Sequence, residues 1–501
     1  MSSQTPLPAR HGGAPGPSGA SRRAFPVRAK DLLKVRAVWI LPLVLGCVVV
    51  ALITAFYVGS VVDPPGHLHG LPVAVVNQDR GAMIGAQQIN IGQQVQRGLA
   101  DSTEVSGRLA LTDTTLSSAE QAMNRGASYA TMVIPPGFTT SLLNRAGVSA
   151  AAAGSARPEI VIWTNQRAGT IGASLASGVL QPGLQAASGQ IGRQLAALVP
   201  AARASSPLTA DFLADPVTVT TAEYRPLPSH SALGLSAFYI ALLILTCGFL
   251  AGTIINSSVD AATGYATTEI GPKWRQRQPL PINRWNTLLI KWVMAAVLTG
   301  LMTGLILLVA AGLLRMDAPH PGLLWLLSWL CMASVAEGTI VLFAVLGSSL
   351  GQLLALLLFV YAGLATAGGT VPLQALPGLL GWLARIEPLR QILDGTRAIL
   401  YFDAQADAGL ARAVTYASLG LVFWLILGAV VVRWYDRKGL NRLDPELLGY
   451  VAASVQQYKS RNTDTRHQDP PNAGKQTEPD ADARQLDSGN TGGPTEADAQ
   501  A

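Results

Sequence analysis

Residues 39–60 read WILPLVLGCVVVALITAFYVGS, an apolar stretch with no charge between Trp39 and Ser60. At 1.5 Å per residue, about 20 helical residues cover a ~30 Å hydrocarbon core, so this stretch predicts a transmembrane helix. It is longer than the roughly 7–15 apolar residues of a signal peptide, which favours a retained anchor over a cleaved leader. Five more apolar stretches follow in the second half of the chain: Leu233–Ile255, Thr287–Leu314, Leu323–Leu346, Leu350–Ala367 and Val414–Val432. The long interval between the first and second stretches is polar to mixed. The fold class expected is therefore a polytopic α-helical membrane protein with six transmembrane helices and a domain inserted between helices one and two.

The expected organisation is a disordered N-terminus (residues 1–28), an interfacial segment with helix one (29–60) and the inserted domain (61–230). Helices two to six (231–435) and a mostly disordered tail (436–501) complete it. Lys and Arg set the orientation, because cytoplasmic flanks retain them. Arg22, Arg23, Arg28, Lys30, Lys34 and Arg36 precede the first stretch; Lys273, Arg275, Arg277 and Arg284 lie between stretches two and three; Arg433, Arg437, Lys438 and Arg442 follow the last. All three flanks fall on one side, which places both termini in the cytoplasm and residues 61–230 outside it. Arg385, Arg390 and Arg397 fall on the opposite side, interspersed with Glu387, Asp394 and Asp403 that can pair with them. Charged residues make up only 13% of the chain, about half the share usual in soluble domains. The net charge of +6 sits beside membrane segments, where anionic lipid headgroups attract it, and does not call for nucleic acid as a partner. Cys47, Cys247 and Cys331 all fall inside predicted spans, so the inserted domain has no disulfide to rely on.

Inside the inserted domain, Leu71–Val76, Arg108–Leu111, Tyr129–Ile134 and Glu159–Trp163 are short apolar runs, each leading into a turn or a helical stretch. That alternation predicts an α/β domain with a partly parallel sheet. The segments Val75-Val76-Asn77-Gln78 and Trp163-Thr164-Asn165-Gln166 look like a duplicated half. If so, Asn77, Gln78, Asn165 and Gln166 sit at strand carboxyl ends and face one crevice, a common ligand position in open α/β sheets. The simpler alternative is that the asparagines cap turns and helix starts. Ala168–Leu198 reads as a long small-residue helix kinked at Pro182.

Within the predicted spans, Glu337 is the acidic residue placed well inside the apolar region, a costly position that marks a pathway or an interhelical contact. Lys291 lies near a span end and is expected to snorkel to the headgroups. Residues 368–390, with Gly368-Gly369-Thr370-Val371-Pro372, are too broken by Gly and Pro to span and read as a re-entrant or interfacial segment. Trp382 and Tyr401 suit the interface. His67, His69 and His230 lack the spacing of a metal site, and no metal or cofactor is expected.

The layout, with LPVAVVNQD at residues 71–79, IPPGF at 134–138 and GGTVP at 368–372 leading to Pro388-Leu389-Arg390, resembles the YhgE/Pip (phage infection protein) family. That group is similar to the membrane subunits of type-2 ABC exporters. The resemblance implies a six-helix permease fold, a homodimer formed through the helices, and Ala29–Arg36 and Asn256–Asn283 as docking stretches for a separate ATP-binding subunit. Lys273, Arg275 and Arg277 are the coupling candidates there. The chain has no Gly-x-x-x-x-Gly-Lys-Ser/Thr loop of its own, and Gly474-Lys475 lacks the rest of the motif. Nor does it carry a nucleophile elbow or a metalloprotease motif, so it does not read as an enzyme. The function expected is export of an amphipathic solute, lipid or peptide, with Glu337, Gly368, Gly369 and Thr370 on the route. The alternative is an envelope scaffold or receptor whose outer domain binds a protein or polymer.

Overall fold

Leu71–Asn77 (LPVAVVN, β1) is rich in β-branched residues and is buried on both faces, as befits a central strand. A computed structural model describes residues 36–440 except 62, 85, 149–156, 200–206, 276, 281 and 370, together with Gly449, Ala453 and Gln456. The expectations for residues 1–28, for most of the tail and for Thr370 lie outside the described residues.

Strand β1 pairs in parallel with β4 (Leu109–Asp113) on one side and β5 (Ala130–Ile134) on the other. Strand β6 (Glu159–Thr164) lies antiparallel to β5, and β7 (Thr218–Glu223) pairs in parallel with β6, giving the order β4-β1-β5-β6-β7. A small hairpin, β2 (Ala82–Ile84) and β3 (Gln87–Ile89), follows β1. Successive β1 side chains point to opposite faces. Val73 and Val75 therefore join the main apolar core, whereas Ala74 and Val76 meet Ala119 of α3 (Leu116–Asn124) on the other face.

The main face is covered by α2 (Ile91–Asp101), α4 (Phe138–Ala146) and α5 (Thr170–Leu198). Helix α2 starts at Asn90, whose side chain accepts from the Gln93 amide at 2.8 Å, and buries Ile91, Val95 and Leu99, which lie one above another at i, i+4 and i+8. Helix α5 continues through Pro182 and buries Ala176, Leu180, Leu184, Ile191 and Leu195 against the sheet. A short helix, α6 (Pro207–Ala214), packs beside it before β7.

Asp79, just past β1, fixes the far end of this layer. Its buried carboxylate accepts from the Gly92 amide at 3.3 Å, the Thr139 amide at 3.1 Å and the Thr139 hydroxyl at 2.5 Å. Those amides belong to the first turns of α2 and α4, where the partial positive charge favours an anion.

The helical part begins with α1 (Arg36–Val61) and resumes after the sheet. Four of its described helices are long and apolar enough to cross a membrane: α7 (Ser236–Ala262), α8 (Arg284–Leu307, continuing as a π-helix to Leu313), α9 (Pro321–Leu346) and α13 (Leu410–Arg437). This is the pattern of a multi-pass membrane protein. The apolar part of α1 described here is Gly46–Ser60. The fifth expected span is α10 (Ser348–Ala355), prolonged by a π-helix to Tyr361 and by α-helix to Thr366; its apolar run, Ser348–Leu364, is shorter than a span. Helices α7 and α9 are mostly buried at the centre, and α8 and α13 expose most of their apolar surface.

Between α10 and α13 the chain forms α11 (Gly378–Leu383) and α12 (Pro388–Tyr401). Val371, Ala375, Leu376, Leu380 and Ala384 join the core of the sheet domain, and the His69 amide donates to the Gln374 carbonyl at 2.9 Å. Leu379, Trp382 and Ile386 face outward and are exposed. Residues 371–384 thus complete the sheet domain on one side and present apolar surface on the other.

The three hydrogen bonds on Asp79 predict that Asp79→Ala costs about 3 kcal/mol, since charge-assisted bonds are lost and buried donors are stranded. Asp113→Ala, at an exposed position on β4, changes stability by less than about 0.5 kcal/mol. Thermal unfolding of the full chain in detergent measures both.

Candidate functional site

The central helices are held together by close backbone approach. Gly248 and Gly252, one turn apart on α7, face α9 so closely that a Cβ at Gly252 would lie 2.7 Å from Thr339 Cβ, and one at Gly248 would lie 2.9 Å from the Met332 carbonyl. Small residues at this spacing are how membrane helices pack without a hydrophobic driving force. Further along α9, a Cβ at Gly338 would meet the Phe359 and Trp424 rings at 2.7 Å. Glu337 lies between these contacts, buried, with its Oε2 lacking a hydrogen-bond partner.

On the α13 side of α9 the bundle forms an apolar cavity of about 410 Å³ that opens outward past the exposed Ile386, Tyr416, Leu419 and Phe423. Cys331, Ser334 and Val335 of α9, Leu358 and Phe359 of the π-helical turn, Gln391 and Ile392 of α12, and Tyr416, Gly420, Phe423 and Trp424 of α13 contribute to its wall. Single π-helical turns recur at functional sites because they break the regular ladder and displace side chains. Gln391 donates to the Arg385 carbonyl at 3.3 Å, and its buried Oε1 has no partner. Glu337 does not line this cavity. Gly368 and Gly369 lie away from it, where a Cβ on Gly369 would strike the Phe238 ring and the Arg397 guanidinium reaches both glycine carbonyls at 3.5 Å. Of the expected route residues that are described, Glu337 is therefore not brought together with Gly368 and Gly369.

The end of the bundle remote from the sheet corrects one expectation. Lys291 does not snorkel outward: it is buried on α8, with Nζ 2.6 Å from Asn256 Oδ1 and 2.8 Å from Asp260 Oδ1. Helix α7 runs past the predicted end at Ile255 to Ala262, and this extension carries Asp260 into the bundle opposite the lysine. Nearby, α7 and α8 are joined by an antiparallel hairpin of β8 (Thr268–Ile270) and β9 (Lys273–Arg275). Lys273, Arg275 and Arg277 are all exposed there. Asp436 of α13 accepts from the Arg284 and Trp285 amides at 3.2 and 3.0 Å, closing the start of α8, and Arg433 stacks 4.1 Å from the Trp285 ring.

The two Asn-Gln pairs do not share a crevice. Because β6 runs antiparallel to β5, Asn165 and Gln166 lie at the opposite end of the sheet from Asn77 and Gln78. Asn77 donates to Gln96 Oε1 at 3.1 Å and accepts from the Asp79 amide, and the Gln78 amide donates to the Ile134 carbonyl. The anion seat between α2 and α4 is already filled by Asp79. Asn165 donates to the carbonyls of Met123 and Ser128 at 2.7 and 3.0 Å, while Gln166 donates to Glu223 at 2.6 Å. These are turn- and strand-fixing roles.

Sequence reasoning missed Arg167 and placed Tyr401 at the membrane interface; the two residues dock the sheet on the bundle. Arg167 donates to the Tyr401 carbonyl at 3.0 Å and the Pro226 carbonyl at 2.9 Å; burial, then Arg225, lowers its pKa. Tyr401 is buried rather than interfacial, its hydroxyl 2.7 Å from Ser236 Oγ at the start of α7. Tyr129 also lies at this junction, where burial raises its pKa and the charge of Arg397 opposes the rise. Among the described residues no cluster of three or more His, Cys, Asp or Glu could hold a metal ion.

The buried pair predicts that Lys291→Met alone destabilises by about 3–5 kcal/mol, because it removes the buried cation that Asp260 and Asn256 face. Lys291→Met combined with Asp260→Leu recovers most of that loss, measurable as a melting temperature above that of either single variant in detergent. Equal and additive losses would contradict the pairing.

No curated protein matches the chain. A solved domain ascribed to an ABC type-2 transporter of Thermotoga maritima MSB8 is 22% identical and covers 34% of this chain and 97% of its own, with a TM-score of 0.21. The family model described as protein of unknown function DUF3533 matches residues 42–426, from within α1 through the sheet domain to α13. Since that match takes in both the inserted sheet and the bundle around the cavity, the chain belongs to the DUF3533 family.

Proposed function

We propose that this chain is a transporter-like permease that exports an amphipathic solute, lipid or peptide. In this reading six helices span the membrane, α1 and α10 included, with both termini in the cytoplasm and the sheet domain outside. A homodimer works with a separate ATP-binding subunit, as in type-2 ABC exporters. The observation that carries the reading is the outward-opening apolar cavity of about 410 Å³ between α9, α12 and α13, walled by a π-helical turn and by Gln391, whose Oε1 is unsatisfied. Such a cavity suits a largely apolar ligand with a few polar groups. Glu337 lies on the same central helix, buried outside the cavity, and an ionisable group kept there despite its desolvation cost supports a pathway role. The resemblance of the LPVAVVNQD, IPPGF and GGTVP segments to the YhgE/Pip family supports the same class. The exposed Lys273, Arg275 and Arg277 at the end remote from the sheet offer a basic surface for an acidic partner.

Affinity capture of the full-length chain from native membranes tests this. The expected result is copurification of an ATP-hydrolysing protein, lost when Arg275→Glu and Arg277→Glu are combined, together with loss of export in Glu337→Leu. Intact function in both the double variant and Glu337→Leu would replace the permease reading with a scaffold or receptor held in the membrane by its helices.

A further inference from the structure

The junction of sheet and bundle holds a second cavity, of about 220 Å³, and its lining is ionic rather than apolar. Arg125, Arg390, Arg397 and Arg412 face it with only Asp394 and Asp407 as counter-charges, so the lining carries an excess of positive charge. Those cations are loosely neutralised. Arg390 and Arg412 share one oxygen of Asp394, at 3.5 and 3.7 Å, well beyond the roughly 2.7–2.9 Å of a tight charge-assisted bond. Arg397 is buried, and its Nη2 meets the Gly368 and Gly369 carbonyls only at 3.5 Å, the limit of hydrogen bonding. Guanidinium groups gathered in this way match the oxygens of a phosphate group.

The ionic and apolar cavities share no lining residue but adjoin along the same two helices, α12 and α13. On α12, Arg390 precedes Gln391 and Ile392; on α13, Arg412 precedes Ala413 and Tyr416; in each case the arginine faces the ionic cavity and the residues after it face the apolar one. A ligand seated along both helices must be anionic at one end and apolar at the other. We propose that the paired cavities bind an anionic phospholipid, its phosphate among Arg390, Arg397 and Arg412 and an acyl chain beside Ala413 and Trp424. The inference rests on reading the apolar cavity as a seat for amphipathic cargo and adds the headgroup chemistry. It needs no ATP and no partner, so binding and export are separable in experiment.

Native mass spectrometry of the delipidated full chain in neutral detergent provides the test, with phosphatidylglycerol, phosphatidylcholine and inorganic phosphate titrated separately. The expected result is about tenfold tighter binding of phosphatidylglycerol than of phosphatidylcholine, a preference of roughly one order of magnitude in Kd. Arg412→Gln, at a side chain more than half exposed and so safe for folding, should remove that preference, as should Arg390→Gln. Ala417→Phe, which fills the apolar cavity, should weaken both lipids, while Arg97→Gln, at an exposed position on α2, changes neither. Equal binding of the two lipids, or a preference untouched by Arg412→Gln, overturns the proposal. Inorganic phosphate displacing phosphatidylglycerol at equal concentration overturns it in favour of a free-anion seat. Lipid binding as expected with no export activity would leave this site standing and fail the permease reading alone.

Discussion

Residues 368–402 belong to two hydrophobic cores at once, and the rest of the architecture depends on that shared membership. Val371, Ala375, Leu376, Leu380 and Ala384 fill the core of the sheet domain, whereas Leu389, Ile392, Leu393, Ile399 and Leu400 fill the core of the bundle. Backbone that leaves a helix close to lipid must find its hydrogen bonds in protein. Here it finds one beneath the sheet, from the His69 amide to the Gln374 carbonyl, while the Arg397 guanidinium stands 3.5 Å from the carbonyls of Gly368 and Gly369. Arg167 and Tyr401 add polar ties from the sheet and from α7 to the end of α12. Neither body buries its full apolar surface without this segment.

That arrangement moves the chemistry away from where an α/β domain usually keeps it. The carboxyl ends of β1 and β5, with two helix starts aimed at them, form the anion site of a nucleotide-binding sheet. In this chain an internal carboxylate, Asp79, occupies the site and makes it structural. The unsatisfied polar groups instead gather at the opposite end of the sheet and inside the bundle: Gln391 beside the apolar cavity, loosely paired arginines at the junction, and Glu337 within α9.

Much of this was readable in the sequence. The strands at Leu71, Arg108, Tyr129 and Glu159 and the long helix after Gln166 emerge within a residue or two, because each carries its own apolar period and turn residues. Four apolar stretches are helices of spanning length for the same reason. What local pattern does not encode is strand direction. The likeness of the segments ending in Asn77 and Asn165 implied equivalent positions, and the antiparallel pairing of β6 with β5 separates them. Strand β7 was missed although Thr218–Glu223 (TVTTAE) is rich in β-branched residues, since its exposed, polar faces lack the apolar alternation of a core strand. The Lys291–Asp260 pair was hidden because the acidic partner lies beyond the last apolar residue of its stretch, where helix continuation depends on packing rather than on hydropathy. The double role of residues 371–384 likewise appears only once the sheet is in place.

Hydrogen exchange of the full chain carrying Leu380→Asp tests the shared core most directly. Leu380 sits on α11, in sequence far from β1 and α5, yet packs in their core. A buried unpaired carboxylate there is costly. The account predicts that amide protection falls together in Gly378–Leu383, in Leu71–Asn77 and in Thr170–Leu198. Loss of protection confined to Gly378–Leu383, with β1 and α5 unchanged, would contradict it.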